Sequence, residues 1–183
     1  SKWTSGIRSQ VQRLGTLTAE LTSLARMDEQ GSKLPMEEFS LSEQVQDVVE
    51  TFRLMAEQRE LSLETAVQEG ISYTGNAPML EELCSILLDN AVKYTVPGGT
   101  IQFSLRKKGR RVLITCENPA EGLQAGSQKR LFDRFYRGDD SRGGEQTGYG
   151  IGLSMAEAIV SAHRGKITAE SPDGEKFVIS VIL

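Results

Sequence analysis

Residues 87–95 read Leu87-Leu88-Asp89-Asn90-Ala91-Val92-Lys93-Tyr94-Thr95. They close a helical pattern over about 78–95 that is apolar nearly all round its middle, at Leu83, Ile86, Leu87 and Ala91, which marks a central helix. Asn90 and Lys93 interrupt that apolar segment, and polar groups there need partners. One turn separates them, so an amide oxygen can reach a magnesium ion while the ammonium reaches phosphate, and Tyr94 offers a ring to a base. Taken singly, each has a plainer reading: a core amide bonded to backbone, and a solvated lysine.

Towards the N-terminus, alternation in 61–67 predicts a strand, with a second around Ile71 to Thr74. Ser40 followed by Glu43 resembles a capping box opening a helix through about residue 58, with Val45, Val48, Val49, Phe52 and Met55 on its inner side. Ile7, Val11, Leu14, Leu17, Leu21 and Leu24 recur at steps of three and four, predicting a helix over about 6–28 whose stripe suits a partner helix or docking on the domain. Gly31 and Pro35 end it.

Towards the C-terminus, strands about 100–107 and 111–117 join across Gly109 as a hairpin. A short helix about 127–135 follows, then a polar, glycine-rich loop from 137 to 148. A helix about 150–163 ends at Gly165, and strands about 166–171 and 176–182 turn at Pro172-Asp173-Gly174. The pattern predicts a two-layer α+β sandwich, a mixed, mostly antiparallel sheet covered on one face by helices and preceded by a helix.

Composition narrows the classes. Hydrophobic residues at 38% and charged residues at 25% suit a globular domain rather than a disordered or membrane protein. No run approaches about 20 apolar residues, and the start has no signal-peptide core. A net charge of -4 argues against nucleic acid as a partner. The basic residues 106–108 and 110–111 suit a solvated hairpin tip. Cys84 and Cys116 lack metal-ligand spacing and read as buried thiols.

Gly148-Tyr149-Gly150-Ile151-Gly152-Leu153 lies where a loop meets a helix, where glycines let backbone amides approach phosphate at the positive helix end. It is neither a Walker loop nor a dinucleotide fingerprint, since the required residues and βαβ unit are missing. In order and spacing, the segments resemble the catalytic domain of sensor histidine kinases, in the ATPase superfamily that includes gyrase and the Hsp90 chaperones. LLDNAVKYT resembles the family's N box, RLFDRFYR at 130–137 its F box, and GYGIGL at 148–153 its second glycine box. Residues 6–30 look like the end of the second helix of a dimerisation and phosphotransfer domain.

The resemblance implies a Bergerat-type ATP-binding fold, with residues 1–35 as helix and linker and 36–183 as the catalytic domain. It implies ATP and Mg2+ as ligands, Asn90 on magnesium, and Lys93 and Tyr94 on the nucleotide. Gly148, Tyr149, Gly150, Ile151, Gly152 and Leu153 would form the end of a phosphate lid at 137–147, mobile without nucleotide, with Arg134 and Arg137 as phosphate contacts. Leu131, Phe132 and Phe135 would anchor its base. The family's Asp-x-Gly-x-Gly aligns with Asn118-Pro119-Ala120-Glu121-Gly122, so Asn118 and Gly122 join the site with an amide in place of a carboxylate. That exchange weakens adenine binding by roughly 1 kcal/mol. Ala120 restricts the backbone near the purine, and Ile86 stands where many members carry another asparagine.

His163, the sole histidine, suits the C-terminal dipole of its helix as a structural residue rather than a phosphoacceptor. The implied activity is a protein histidine kinase fragment lacking its phosphoacceptor. The implied partners are its own dimerisation domain, in a homodimeric parent, and a response regulator. The domain would be cytoplasmic, with a membrane-anchored parent. A docking module without turnover and a serine protein kinase on the same fold stay open as alternatives.

Overall fold

A computed structural model describes residues 2–30, 34–133 and 151–183. Eight strands and four helices occur among them: α1 (Lys2–Gln30), β1 (Glu37–Ser40), α2 (Leu41–Glu57), β2 (Ser62–Val67), β3 (Ser72–Gly75), α3 (Ala77–Tyr94), β4 (Thr100–Lys108), β5 (Arg111–Pro119), β6 (Gly126–Ser127), α4 (Gly152–Ala162), β7 (Lys166–Ser171) and β8 (Lys176–Ile182). Six strands form one sheet in the order β2-β4-β5-β8-β7-β6, while β1 and β3 pair separately. Only β2 and β4 run parallel in the large sheet; its other pairs are antiparallel. This is the mixed, mostly antiparallel sandwich expected from the sequence.

Local chemistry starts the helices. The Ser40 hydroxyl accepts a hydrogen bond from the Glu43 amide at 3.3 Å, which fixes the first turn of α2. Asn76 does the same for α3, accepting from Met79 N–H at 3.1 Å, with a proline in the first turn where no amide is needed. The core forms where α2, α3 and α4 lay their apolar faces on alternate residues of the sheet: Ile101, Phe103 and Leu105 from β4, Ile114 and Cys116 from β5, Ile179 and Val181 from β8. Gly165 lets α4 return to β7 at close range, since a Cβ there would lie 2.4 Å from the Ile182 carbonyl oxygen.

Two expectations are corrected. The segment expected to be helical over about 127–135 begins instead as β6, pairing with Ser171 and Glu170 of β7. The Gln128 amide bonds to the Ala169 carbonyl at 2.8 Å, leaving only a 3-10 turn at Lys129–Phe132 before the described residues stop. The apolar stripe of α1 also divides. Leu24 is 2% exposed and Met27 is buried, with Leu17 packed beside them, whereas Ile7, Val11 and Leu14 are each at least 60% exposed. Only the C-terminal half of α1 docks, packing on α4. Among the described residues, no helix is long and apolar enough to cross a membrane.

Candidate functional site

Three elements carry the sequence-selected residues that fall within the described chain. A bond from the Cys116 thiol to the Leu87 carbonyl, 3.7 Å, sets the register of β5 against α3. Two residues further along β5 is Asn118, and one turn further along α3 is Asn90. The start of α4 meets α3 one turn before Asn90: a Cβ at Gly152 would lie 3.6 Å from Ile86 Cγ2. Ile86, Asn90 and Lys93, spaced by four and three, therefore form one strip of α3 that runs along the side meeting α4.

Asn90 is half-buried, and its amide makes no hydrogen bond to a described residue. That leaves both amide atoms available to a ligand. The Lys93 ammonium sits 2.6 Å from an Asp89 carboxylate oxygen, one turn back, with both side chains about one-third exposed. Tyr94 is 40% exposed, so its ring can be covered by a ligand. Thr95 caps this end of α3, its hydroxyl donating to the Ala91 carbonyl at 2.7 Å, and the Arg59 guanidinium bonds the Val92 carbonyl at 2.9 Å.

Asn118 is 2% exposed on the helix-facing side of β5, and its Nδ2 donates to the Pro119 carbonyl at 2.9 Å. The carbonyl end of the amide is left as the acceptor. Gly122, four residues on, has φ of 76°, in the left-handed region that favours glycine. The strand end is pinned by the Ala120 amide bonding the Glu175 carbonyl at 2.9 Å.

At the start of α4 the Ile151 side chain is fully buried in the core, so it offers a ligand only backbone. Its carbonyl accepts from Met155 N–H and the Ser154 hydroxyl, and no side chain caps the amides of the first turn. Uncapped amides at a helix start attract anions. Gly152 opens that turn, and Leu153 packs partly against the core. Phe132 and Leu131 also pack on the core, as an anchor would. The candidates Arg134, Arg137, Gly148, Tyr149 and Gly150, the lid at 137–147 and Phe135 lie outside the described residues.

The electrostatics hold a feature the sequence did not reveal. Glu20 of α1 has its carboxyl raised above the usual carboxylate range, first by burial; Lys93 opposes the shift, while Asp89 and Glu82 add to it. Burial likewise raises Glu82. Cys84 and Cys116 are pushed up to about 12 by burial, as expected of core thiols. His163 is structural: its Nε2 accepts from the Asn76 amide at 3.0 Å, and its Nδ1 donates to the Ile159 carbonyl at 2.8 Å. Among the described residues no cluster of three or more His, Cys, Asp or Glu side chains is arranged to hold a metal.

An α+β sandwich whose central helix, strand end and uncapped helix start converge in this way is the architecture of a nucleotide-binding ATPase domain. The chain belongs to the family of histidine kinase-, DNA gyrase B- and HSP90-like ATPases, whose model matches residues 75–183. It is 31% identical over 169 residues to the sensor protein DltS of Streptococcus agalactiae, covering 92% of this chain and 42% of that protein. It is 32% identical over 173 residues to the sensor histidine kinase CusS of Escherichia coli, covering 94% and 36%. The chain thus spans about two-fifths of these relatives. In fold it is similar to the Acinetobacter baumannii histidine kinase AdeS, with TM-score 0.78 and 22% identity over 98% of this chain and 82% of that one. Full-length ShkA, solved in complex with AMPPNP, superposes with TM-score 0.82 and 18% identity over 99% and 38%. The family makes ATP the nucleotide of this domain.

Proposed function

We propose that this chain is the catalytic part of a two-component sensor kinase. It supplies the γ-phosphoryl of Mg-ATP to a histidine on a dimerisation helix outside the sequence, for relay to a response regulator. Residues 1–35 serve as the end of the dimerisation and phosphotransfer helix with its linker, and 36–183 as the catalytic domain. The domain works in the cytoplasm and its parent as a membrane-anchored homodimer.

The observation that carries this reading is the pairing on one strip of α3 of an unengaged, half-buried amide and an ammonium, beside the uncapped start of α4. Phosphates lying along the first turn of α4 meet its amides, and Lys93 supplies a charge once it leaves Asp89. The Asn118 acceptor faces a purine amino group, Gly122 leaves its edge clear, and Tyr94 covers the exposed side. Asn90 suits magnesium, which keeps waters and phosphates as its other ligands, so one protein oxygen suffices. The ion, when bound, neutralises charge on the phosphates. The protein residues contribute positioning and charge, with Arg134, Arg137 and the glycines at 148, 150 and 152 completing the phosphate enclosure.

A second reading has specific support. Ile86 places an apolar side chain against the start of α4 where a polar ligand is expected, and Asn118 replaces a carboxylate. Both suit a domain that binds nucleotide weakly and acts by docking without turnover. Calorimetric titration with ATP and ADP, with and without magnesium, separates the readings when repeated on Asn90→Ala. Magnesium-dependent binding lost in the variant, and labelling of an added histidine-bearing helical partner by ATP, support the kinase. Binding without labelling favours the docking domain, and no binding in the millimolar range removes the ATP site.

A further inference from the structure

The large sheet turns one face to the helices and the other away from them. On the second face the strand register lines up four residues from four neighbouring strands: Arg106 of β4, Leu113 of β5, Ile182 of β8 and Lys166 of β7. Their sequence neighbours Leu105, Val112, Ile114 and Val181 are buried in the core, and side chains alternate along a strand, so the row stands on the opposite side. Leu113 and Ile182 are half-buried without packing on the core, whereas Arg106 and Lys166 at the two ends are exposed. Two residues nearer the hairpin turn, Lys108 and Arg111 face each other on the same side, and Lys108, Arg111, Val112, Leu113 and Ile182 line a cleft of about 330 Å³. Lys107 and Arg110 join Arg106, Lys108, Arg111 and Lys166 at this end of a chain whose net charge is -4. None of these cations forms an ion pair with a described residue. Like charges directly opposite across strands repel, a cost that an anionic partner reverses.

We propose that this end of the open face binds an extended acidic segment of a partner protein, carrying an apolar side chain between two carboxylates. The row from Arg106 to Lys166 crosses three strand spacings, about 14 Å at ~4.8 Å each. An extended segment lying across the strands turns residues i, i+2 and i+4 to the sheet, and i to i+4 covers about 13 Å. Acidic, apolar and acidic residues at those positions set their carboxylates on Arg106 and Lys166 and the central side chain over Leu113 and Ile182. Lys108 and Arg111 then meet the carboxylates of any acidic residue flanking the centre. The half-buried apolar pair between the cations favours a peptide over an anionic bilayer, whose flat surface meets exposed cations without filling a cleft. Asn118 lies towards the opposite end of β5 from Arg111, so this surface and the candidate nucleotide site are separate and can be occupied together.

The test is fluorescence anisotropy of a labelled peptide, Gly-Asp-Ser-Leu-Ser-Asp-Gly, titrated with the 183-residue protein at low salt. Saturable binding is expected, weakened about fivefold by Lys166→Glu or Arg106→Glu, the scale of one exposed charge contact. Replacing the peptide's leucine by glycine should weaken binding about tenfold, as should be seen for loss of a partly buried aliphatic side chain. Placing its two aspartates side by side should also weaken it, because one carboxylate then misses its cation. No saturation at millimolar protein, or equal binding by the glycine peptide, overturns the proposal, and neither needs an altered protein. Equal binding by both charge-reversed variants, with circular dichroism showing them folded, overturns it too. Phosphatidylglycerol vesicles that hold the protein against excess peptide assign the cations to a membrane surface instead.

Discussion

Asn118→Asp restores the carboxylate usual in the family and tests how the structure uses the amide. Asn118 is 2% exposed, and its Nδ2 donates to the neighbouring Pro119 carbonyl at 2.9 Å. An aspartate loses that bond, worth about 1 kcal/mol, and sets a carboxylate oxygen against a carbonyl oxygen. Burying the unpaired charge costs more, so the unliganded protein should lose roughly 2–4 kcal/mol at neutral pH. For a domain of this size that is a fall in Tm of roughly 4–15 °C. The folded state should hold the new carboxyl's proton more tightly than the unfolded state does, so the deficit should shrink as pH falls towards the carboxylate range. ATP should act oppositely to the mutation, because the adenine amino group partners the charge; affinity should rise by about 1 kcal/mol, close to fivefold. Thermal unfolding followed by circular dichroism, at several pH values and with saturating ATP, reads all three effects. An unchanged Tm at neutral pH would refute the assigned amide bond, and a deficit that ATP does not narrow would refute the adenine contact.

His163→Ala leaves the Asn76 amide without its partner, while the Ile159 carbonyl keeps the backbone amide of residue 163, and should cost roughly 1–3 kcal/mol in urea unfolding, while ADP affinity stays within about twofold of the unaltered protein. A large loss of nucleotide binding with stability unchanged would contradict its structural role. Glu82→Gln should stabilise the protein at neutral pH by less than about 1 kcal/mol. Burial raises the folded carboxyl above 4.5, so the native state binds its proton more tightly and stability falls as pH rises above that value. Melting temperatures across pH 4–8 should show the variant gaining on the parent towards neutral pH.

The elements legible in the sequence were those whose cause is local. Ser40 and Glu43 announced α2 because a cap is made within four residues, and alternation with Gly109 announced the β4–β5 hairpin because its turn closes on itself. The segment at 127–135 was misread as a helix because β6 exists only through its pairing with β7, about forty residues away. The α1 stripe was read as one face, yet its two halves differ: residues 17–27 find α4, while Ile7, Val11 and Leu14 find nothing among the described residues. Of the candidate site, Asn90 and Lys93 were picked out by residue type and spacing, and Gly122 only through the resemblance to the family. Ile151 looked equally functional in the motif, but its side chain is core. Glu20 carried no signal at all, since nothing in its own helix distinguishes it from a solvated acid.

What the sequence alone determined is the set of amphipathic segments, their caps and the polar residues set into the central helix, because periodicity and capping act over a turn or two. Tertiary structure decided the strand order with its single parallel pair, the bridge from His163 to an amide 87 residues earlier, and the burial of one face of α1 against the domain. Those depend on which faces bury together, and burial also sets the local field, as where it raises the Glu20 carboxyl.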